Sequence, residues 1–71
     1  MNPMVSKYKE IVFRILKKEE IKSTHQITKE LEKVTKKTIS WYCCYGCLVD
    51  LQGEGKIQKL ESKAGFFWRK K

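Results

Sequence analysis

The stretch Gly53-Glu54-Gly55 separates two parts of the chain that have different hydrophobic patterns. Before it, apolar residues recur at the three- and four-residue spacings of amphipathic helices. After it come KIQKL and FFWRK, two β-prone runs joined by ESKAG, whose Gly65 can adopt the positive φ of a tight turn. A chain of 71 residues has room for one core only. The pattern therefore predicts a single domain, 1–71, of helices followed by a β-hairpin.

Capping signals give the bounds of three helices. Ser23 followed by Gln26 matches a capping box, which places the N-cap of the second helix at Ser23. Ser40 can cap the third helix, and VTKKTIS before it suits a turn. Ile21 can form a strand of one or two residues. We predict helix 1 at about 4–19, helix 2 at about 24–34, helix 3 at about 40–53 and the hairpin at about 55–70.

Apolar stripes predict which faces of the first two helices are buried. The stripe on helix 1, with Ile11 at its border, contains Val5, Tyr8, Val12, Ile15 and Leu16. The stripe on helix 2 contains Ile27, Leu31 and Val34. In the hairpin, Phe66 and Trp68 alternate with Phe67, and we expect Trp68 to close the core.

Helix 3 contains the unusual run WYCCYGCLVD, whose residues fall on two opposite faces. The face that we expect to pack against helices 1 and 2 comprises Cys44, Cys47, Leu48 and Leu51. The opposite face, with Trp41 and Cys43 on its flanks, comprises Tyr42, Tyr45, Gly46 and Val49. Several aromatic and apolar side chains on one exposed face indicate a surface that meets a partner.

The cysteines allow three other interpretations. Cys44-x-x-Cys47 has the spacing of half a zinc site, but structural zinc needs about four ligands and only Cys43 and His25 remain. A redox Cys-x-x-Cys motif opens a helix in a βαβ unit, which the pattern lacks. A disulfide within or between chains stays open. We expect buried thiols at Cys44 and Cys47, a surface position for His25, no metal site and no cofactor.

The charge of the chain indicates a polyanionic partner. Sixteen Lys+Arg and eight Asp+Glu residues give a formal net charge of +8, and the pI is about 9.6. Such a balance is typical of proteins that bind nucleic acid. The excess is concentrated in 33–49 and 62–71, two segments without any acidic residue. A lysine-rich proteome would raise the number of lysines but would not cluster them.

Neither a membrane span nor an active site is indicated. No apolar run approaches the roughly 20 residues that a bilayer requires, and MNPMVSKYKE lacks the basic and apolar regions of a signal peptide. We therefore expect a soluble, cytoplasmic protein associated with nucleic acid. The sequence contains no identifiable paired carboxylates, glycine-rich phosphate loop or nucleophile–base pair, so we expect no catalytic residue and no small-molecule substrate.

The predicted order of helix, short strand, helix, turn, helix and hairpin resembles the winged helix-turn-helix family over nearly the whole chain. The segments that carry the resemblance are STHQITKEL, KKTIS, LVDLQGEGKI and AGFFWR. Leu48, Leu51, Gly55 and Ile57 match the Leu-x-x-Leu-x-x-x-Gly-x-Ile pattern with which the family's third helix runs into its wing. The resemblance implies a mainly α fold with a small β-hairpin (α+β), built from three helices and a two- to three-stranded wing.

The resemblance also implies double-stranded DNA binding by a transcriptional regulator whose third helix lies in the major groove. At the matching positions, the residues that would meet the duplex are Trp41, Tyr42, Tyr45 and Gly46. Phosphate contacts would come from Lys36, Lys37, Thr38, Ser40, Lys59, Lys63, Arg69, Lys70 and Lys71. The helix face departs from the family pattern, because it has no Arg, Asn or Gln that could read a base edge with two hydrogen bonds.

Alternatives to duplex DNA stay open at this point. The exposed face of helix 3 could bind another protein through Trp41, Tyr42, Tyr45 and Val49. The nucleic acid could also be RNA, and a thiol or metal protein is the remaining alternative. A homodimer is expected on general grounds, because regulators often read paired half-sites, and helix 1 or the N-terminal segment would form its interface.

Overall fold

The computed structural model describes the backbone of residues 3–71 and the side chains of residues 7–71. Three helices and a three-stranded antiparallel sheet make up the fold, which confirms the predicted α+β class. In chain order the elements are α1 (Pro3–Ile15), β1 (Lys22–Ser23), α2 (Thr24–Thr35), α3 (Trp41–Gly53), β2 (Ile57–Ser62) and β3 (Gly65–Lys70). β1 begins one residue after Ile21, where the short strand was expected.

The sheet has the strand order β1-β3-β2. β2 and β3 form a hairpin that runs from the pair Ile57–Lys70 at its base to the pair Ser62–Gly65 at its tip. Gly65 has a φ of 125°, a conformation that glycine adopts without steric cost, as predicted for this turn. β1 adds a third strand, since Lys22 pairs with Trp68. The short β1 thereby ties the start of α2 to the hairpin.

Side chains of the hairpin alternate between an inner face, toward the helices, and an outer face. The inner face carries Ile57, Lys59, Phe66, Trp68 and Lys70. The outer face carries Gln58, Leu60, Phe67 and Arg69. The alternation predicted for Phe66, Phe67 and Trp68 is therefore present. It also decides which of the basic residues can approach α3.

The helix starts follow their capping signals. The Ser23 hydroxyl accepts a hydrogen bond from the Gln26 N–H at 3.1 Å, and the Gln26 side chain accepts one from the Ser23 N–H at 2.9 Å. This is the predicted capping box, and α2 begins at the next residue. The Ser40 hydroxyl accepts a hydrogen bond from the Cys43 N–H at 3.1 Å and caps α3. Each cap satisfies a backbone donor that the helix leaves unpaired.

α1 ends at Ile15, so the predicted end near residue 19 is wrong. Leu16 still donates its N–H to the Val12 carbonyl at 3.2 Å, and its side chain is fully buried. The chain then turns, and Glu19 takes a positive φ of 69°. This turn brings Lys22 to β3, which a longer helix would prevent. Periodicity along α1 contains no information about that pairing.

The core lies between the three helices and the inner face of the hairpin. It consists of Tyr8, Val12, Leu16, Ile27, Leu31, Ile39, Cys44, Cys47, Leu48, Leu51, Ile57 and Trp68. Val34 was predicted to be buried but is 60% exposed, because the last turn of α2 extends past the core. Ile39, which had been assigned only to a polar turn, is buried in its place. The Val5 side chain lies outside the described residues.

Trp68 closes the core beneath the hairpin, as predicted. Its side chain is fully buried, and its indole N–H donates a hydrogen bond to the Thr24 hydroxyl at 2.8 Å. The Thr24 hydroxyl in turn donates to the Phe66 carbonyl at 3.4 Å. The hydrogen bond to Thr24 satisfies the indole N–H, which is the one polar group of the Trp68 side chain. Trp68 therefore fixes β3 to the first turn of α2.

Candidate nucleic-acid interface

α3 has the two opposite faces that its sequence predicts. Its inner face is fully buried except for 2% of Leu51 and consists of Cys44, Cys47, Leu48 and Leu51. On the other side, Tyr42 is 80% exposed, Val49 41% and Trp41 39%. We call Trp41, Tyr42, Gly46 and Val49 the outer face of α3. Three of the five exposed large hydrophobic side chains among the described residues therefore lie on this one helix, the other two being Ile21 and Val34.

Tyr45 differs from its prediction, because it is half-buried and not fully outward. Its ring stacks on Trp41, with 4.8 Å between centroids and an interplanar angle of 9°. The ring centroids of Phe66 and Trp68 lie 5.9 and 6.0 Å away. The hairpin packs against this flank of α3, which a helical projection of the sequence alone cannot show. We call Trp41, Tyr45 and Phe66 the aromatic seam between α3 and the hairpin.

Lys59 lies against the aromatic seam. Its ammonium is 4.2 Å from the centroid of the Phe66 ring and 5.6 Å from that of Tyr45. It also donates a hydrogen bond to the Tyr45 hydroxyl at 3.3 Å, and the Glu61 carboxylate is 3.6 Å away. The cation–π contacts hold the ammonium against the rings, and the Glu61 carboxylate offsets part of its charge. The structure thus brings Lys59 beside α3, as predicted, and adds Phe66, which the sequence interpretation had not assigned to the site.

The turn between α2 and α3 is held by contacts on its buried side and has basic side chains on its exposed side. Lys36 caps α2 with a left-handed φ of 57°. The buried Ile39 donates its N–H to the Glu32 carboxylate at 3.1 Å, which anchors the turn. Lys36, Lys37, Thr38 and Ser40 are all exposed immediately before α3. Among the described residues, Lys36 and Lys37 form no salt bridge, so both ammonium groups are open to a ligand.

The remaining basic candidates do not converge on α3. Lys63 lies at the tip of the hairpin, and Lys71 follows β3 at its base. Arg69 projects from the outer face, where its Nε donates a hydrogen bond to Gln58 at 3.0 Å. The Lys70 ammonium lies 4.3 Å from the centroid of the Phe13 ring on α1. The predicted convergence of all these cations on one side of α3 is therefore wrong. Strand alternation turns Arg69 to the outer face, and Lys70, although it is on the inner face, lies at the base of the hairpin beside α1.

A second group of cations surrounds Phe13, beside α1. A cavity of about 160 Å³ is lined there by Lys9, Glu10, Phe13, Arg14, Leu51 and Lys56. Glu54 pairs with Lys9 and, at 3.1 Å, with Lys56. These carboxylates offset part of the positive charge on this side. The less neutralised cations of the turn thus lie at the α3 side of the molecule.

All three cysteines are thiols, and Cys44 and Cys47 are buried as predicted. Burial, which disfavours the thiolate, raises the pKa of Cys47 to about 12 and also raises the pKa of Cys44. Cys43 is half-buried on the flank of α3. The inner-face cysteines therefore act as small core residues and not as nucleophiles.

We expect iodoacetamide at about pH 8 to alkylate Cys43 first, and Cys44 and Cys47 only after unfolding. The contribution of the Cys47 thiol to the free energy of unfolding should be fully present below its ordinary pKa of 9.0. It should be lost between pH 9 and about 12, because the thiol ionises at a lower pH in the unfolded chain than in the folded protein. Intact mass after timed alkylation, with a denatured sample as the control, measures the order. Equal rates at all three cysteines in the folded protein would contradict the assignment.

Comparison with known proteins does not identify the chain. No protein-family model, no curated protein and no solved structure matches it. Within the described part, no three His, Cys, Asp or Glu residues are grouped so that they could hold a metal ion. None of the described helices is long and apolar enough to cross a membrane. A function therefore has to be inferred from the surface of α3, the turn before it and the hairpin.

Proposed function

We propose that this chain is a winged helix-turn-helix protein that binds double-stranded DNA as a transcriptional regulator. α2 and α3 would be the helix-turn-helix, with α3 in the major groove, and β2–β3 would be the wing beside it. The order of the elements and the antiparallel pairing of β1 with β3 support this interpretation. A helix about 10–12 Å across fits the major groove, which is about 12 Å wide.

The observation that carries the proposal is the outer face of α3 in a strongly basic protein. A chain with a net charge of +8 presents Trp41, Tyr42 and Val49 to water on one helix. Such apolar side chains suit contact with sugars and thymine methyl groups, and the Tyr42 hydroxyl can donate to a phosphate. The exposed Lys36 and Lys37 immediately precede this helix. Together these residues offer apolar contact at the centre and phosphate contacts at the margin.

The start of α3 provides further phosphate contacts. Ser40 accepts the N–H of Cys43, which leaves other N–H groups of the first turn without a helical partner. These donors and the positive end of the helix dipole favour an anion at this position. Lys59 at the aromatic seam and Lys63 at the hairpin tip extend the positive surface along the wing. Because phosphate contacts are independent of sequence, we expect modest sequence specificity.

Gly46 offers a direct test of close approach by α3. A methyl group built there would meet nothing within 4 Å, so Gly46→Ala fits the fold and should raise the free energy of unfolding by about 1 kcal/mol. The same methyl group would stand between the α3 backbone and the groove wall. We therefore expect a more stable protein, measured by urea unfolding, that binds duplex DNA several-fold more weakly.

Gly53→Ala is the matched control for Gly46→Ala, because Gly53 is also in α3 and also has open space at its Cβ position. It lies at the far end of the helix, and we expect unchanged DNA binding. Unchanged affinity in Gly46→Ala would show that α3 does not lie against the duplex at that residue.

A second function is favoured by the same exposed side chains. If the winged helix were an assembly module, the centre of a protein–protein interface would be formed by Trp41, Tyr42 and Val49, with the half-buried Tyr45 beside them, since aromatic residues are enriched there. A gel shift with random-sequence duplex DNA at low and moderate salt separates the two functions. We expect a shifted band that becomes weaker as the salt concentration rises. Duplex RNA at the same concentration as the DNA should compete poorly for the protein. No band at low salt would favour the protein partner.

A further inference from the structure

A groove lies between the start of α2, the start of α3 and the tip of the hairpin. It has a volume of about 330 Å³ and is lined by Ser23, Thr24, His25, Trp41, Ala64, Gly65 and Phe66. That volume is at the lower end of the roughly 300–1,000 Å³ typical of ligand sites. His25, Trp41, Ala64 and Gly65 are exposed, so the groove opens to solvent. It is separate from Gly46 and Val49, which would face the major groove.

The groove offers aromatic surface and few unused hydrogen-bonding groups. Its hydroxyl groups are engaged internally, since that of Ser23 accepts from Gln26 and that of Thr24 accepts from Trp68. Trp41 and Phe66 belong to the aromatic seam and form two of its walls. A ligand held by ring faces, without directional hydrogen bonds, is therefore the chemistry that this groove suits.

Trp41 is held ready for stacking. One face of its indole is covered by Tyr45, with 4.8 Å between ring centroids, and the ring of Tyr42 lies 5.4 Å away and nearly perpendicular, at 89°. The indole is nevertheless 39% exposed, so its remaining surface is available to a ligand. A ring that neighbouring rings already hold in position loses little conformational entropy when a second flat group stacks on it.

The charges around the groove fit a nucleotide. None of its lining residues is acidic. Lys63 immediately precedes Ala64 in the hairpin turn and forms no salt bridge among the described residues. The Lys59 ammonium lies 4.2 Å from the centroid of the Phe66 ring, and the Glu61 carboxylate, 3.6 Å from that ammonium, offsets part of its charge. Cations beside aromatic side chains are the combination with which proteins bind the phosphates and bases of unpaired strands. His25 adds a further ring on which a base can stack.

We propose that this groove binds an unpaired nucleobase of the DNA, stacked on Trp41 beside Phe66, while α3 contacts the adjoining duplex. The proposal rests on the proposed DNA binding and deepens it. It makes the protein prefer duplexes with unpaired bases at an end or junction over fully paired ones. Because every base has a π-face, the preference depends on the presence of a base and little on its identity.

The test compares fluorescein-labelled duplexes that share one paired sequence. One is blunt, one has a short thymidine overhang, and one has an abasic overhang with the same number of phosphates; each overhang is placed on the 5′ and on the 3′ side. We expect about 5- to 20-fold tighter binding with thymidine than with abasic overhang on one of the two sides. The abasic probe removes the base but keeps the phosphates, so the ratio reports stacking alone.

Variants locate the preference within the groove. Trp41→Ala should bring the thymidine-to-abasic ratio to about 1, and Phe66→Ala should lower it. Val49→Ala is the matched control, because Val49 is on the same helix as Trp41 but does not line the groove. Whatever its effect on the affinity for the duplex, this variant should keep the thymidine-to-abasic ratio of the parent. An overhang of uridine in place of thymidine tests whether the bound base belongs to DNA or to RNA. A preference over the abasic overhang that is seen only with ribonucleotides would overturn the proposal for DNA.

Tryptophan fluorescence gives a second readout, because the chain contains only Trp41 and the buried Trp68. Emission of the parent should be quenched by the thymidine overhang, and that of Trp41→Phe should not. Blunt-duplex binding with equal affinities for thymidine and abasic overhangs would overturn the groove proposal alone. Failure to bind any of the duplexes at low salt would overturn DNA binding itself.

Discussion

Replacing Trp68 by alanine should lower the melting temperature by about 15 to 30 °C. Trp68 is fully buried, and its indole N–H donates to Thr24. Truncating a buried tryptophan costs about 3–5 kcal/mol. A domain of this size has a total stability on the order of 5 kcal/mol. The variant should therefore be largely unfolded near body temperature, as circular dichroism would show.

Trp41→Ala is the matched control, because it makes the same chemical change at the other tryptophan of the chain. Trp41 is 39% exposed and loses mainly its stacking on Tyr45, so the melting temperature should fall by only a few degrees. Trp68→Phe keeps an aromatic ring in the core but removes the hydrogen bond to Thr24, and an intermediate loss is expected. Equal melting temperatures for the two alanine variants would show that the hairpin does not depend on Trp68.

The double variant Lys37→Glu, Lys63→Glu should bind duplex DNA about 100-fold more weakly on every sequence, since two phosphate contacts become repulsions. Lys37 lies in the turn before α3, and Lys63 lies at the hairpin tip. Neither forms a salt bridge among the described residues, so folding should not change. The salt dependence should also become shallower, by roughly 2 in the slope of log K against log salt.

Lys17→Glu, Lys18→Glu is the control for that variant, because it changes the net charge by the same amount. These lysines precede β1, whose Lys22 pairs with Trp68, and the antiparallel pairing puts them toward the base of the hairpin, away from Lys63. We expect a loss of only a few-fold, from the change in net charge. Similar losses in both double variants would mean that net charge alone governs binding.

Local signals in the sequence predicted the elements well. The capping box at Ser23 and the glycine at position 65 act through neighbouring backbone atoms. The start of α2 and the turn of the hairpin are therefore determined by a few consecutive residues. The inward turn of Cys44 and Cys47 follows from helical periodicity in the same way. These features were predicted correctly because the physics that fixes them is short-ranged.

Contacts between distant segments were predicted less well. The early end of α1 depends on pairing between Lys22 and Trp68, and the half-burial of Tyr45 depends on where the hairpin packs. Lys70 was assigned to the DNA side but lies on Phe13, because strand alternation and the position of α1 decide its direction. A signal for Phe66 was present, since it alternates with Phe67 on the side of the buried Trp68. The groove between α2, α3 and the hairpin is lined by residues from three segments that are distant in the sequence, so no local sequence pattern predicts it.

The most direct measurement of the central claim is the affinity for a random-sequence duplex, by fluorescence anisotropy, from roughly 50 to 200 mM potassium chloride. We expect about 4 to 7 phosphate contacts per monomer. A plot of the logarithm of the association constant against the logarithm of the salt concentration should therefore have a slope of roughly −4 to −6. This result would show that binding is dominated by phosphate contacts, as expected if the basic margin of the outer face of α3 meets the DNA backbone. An affinity that does not change over this range would contradict the claim.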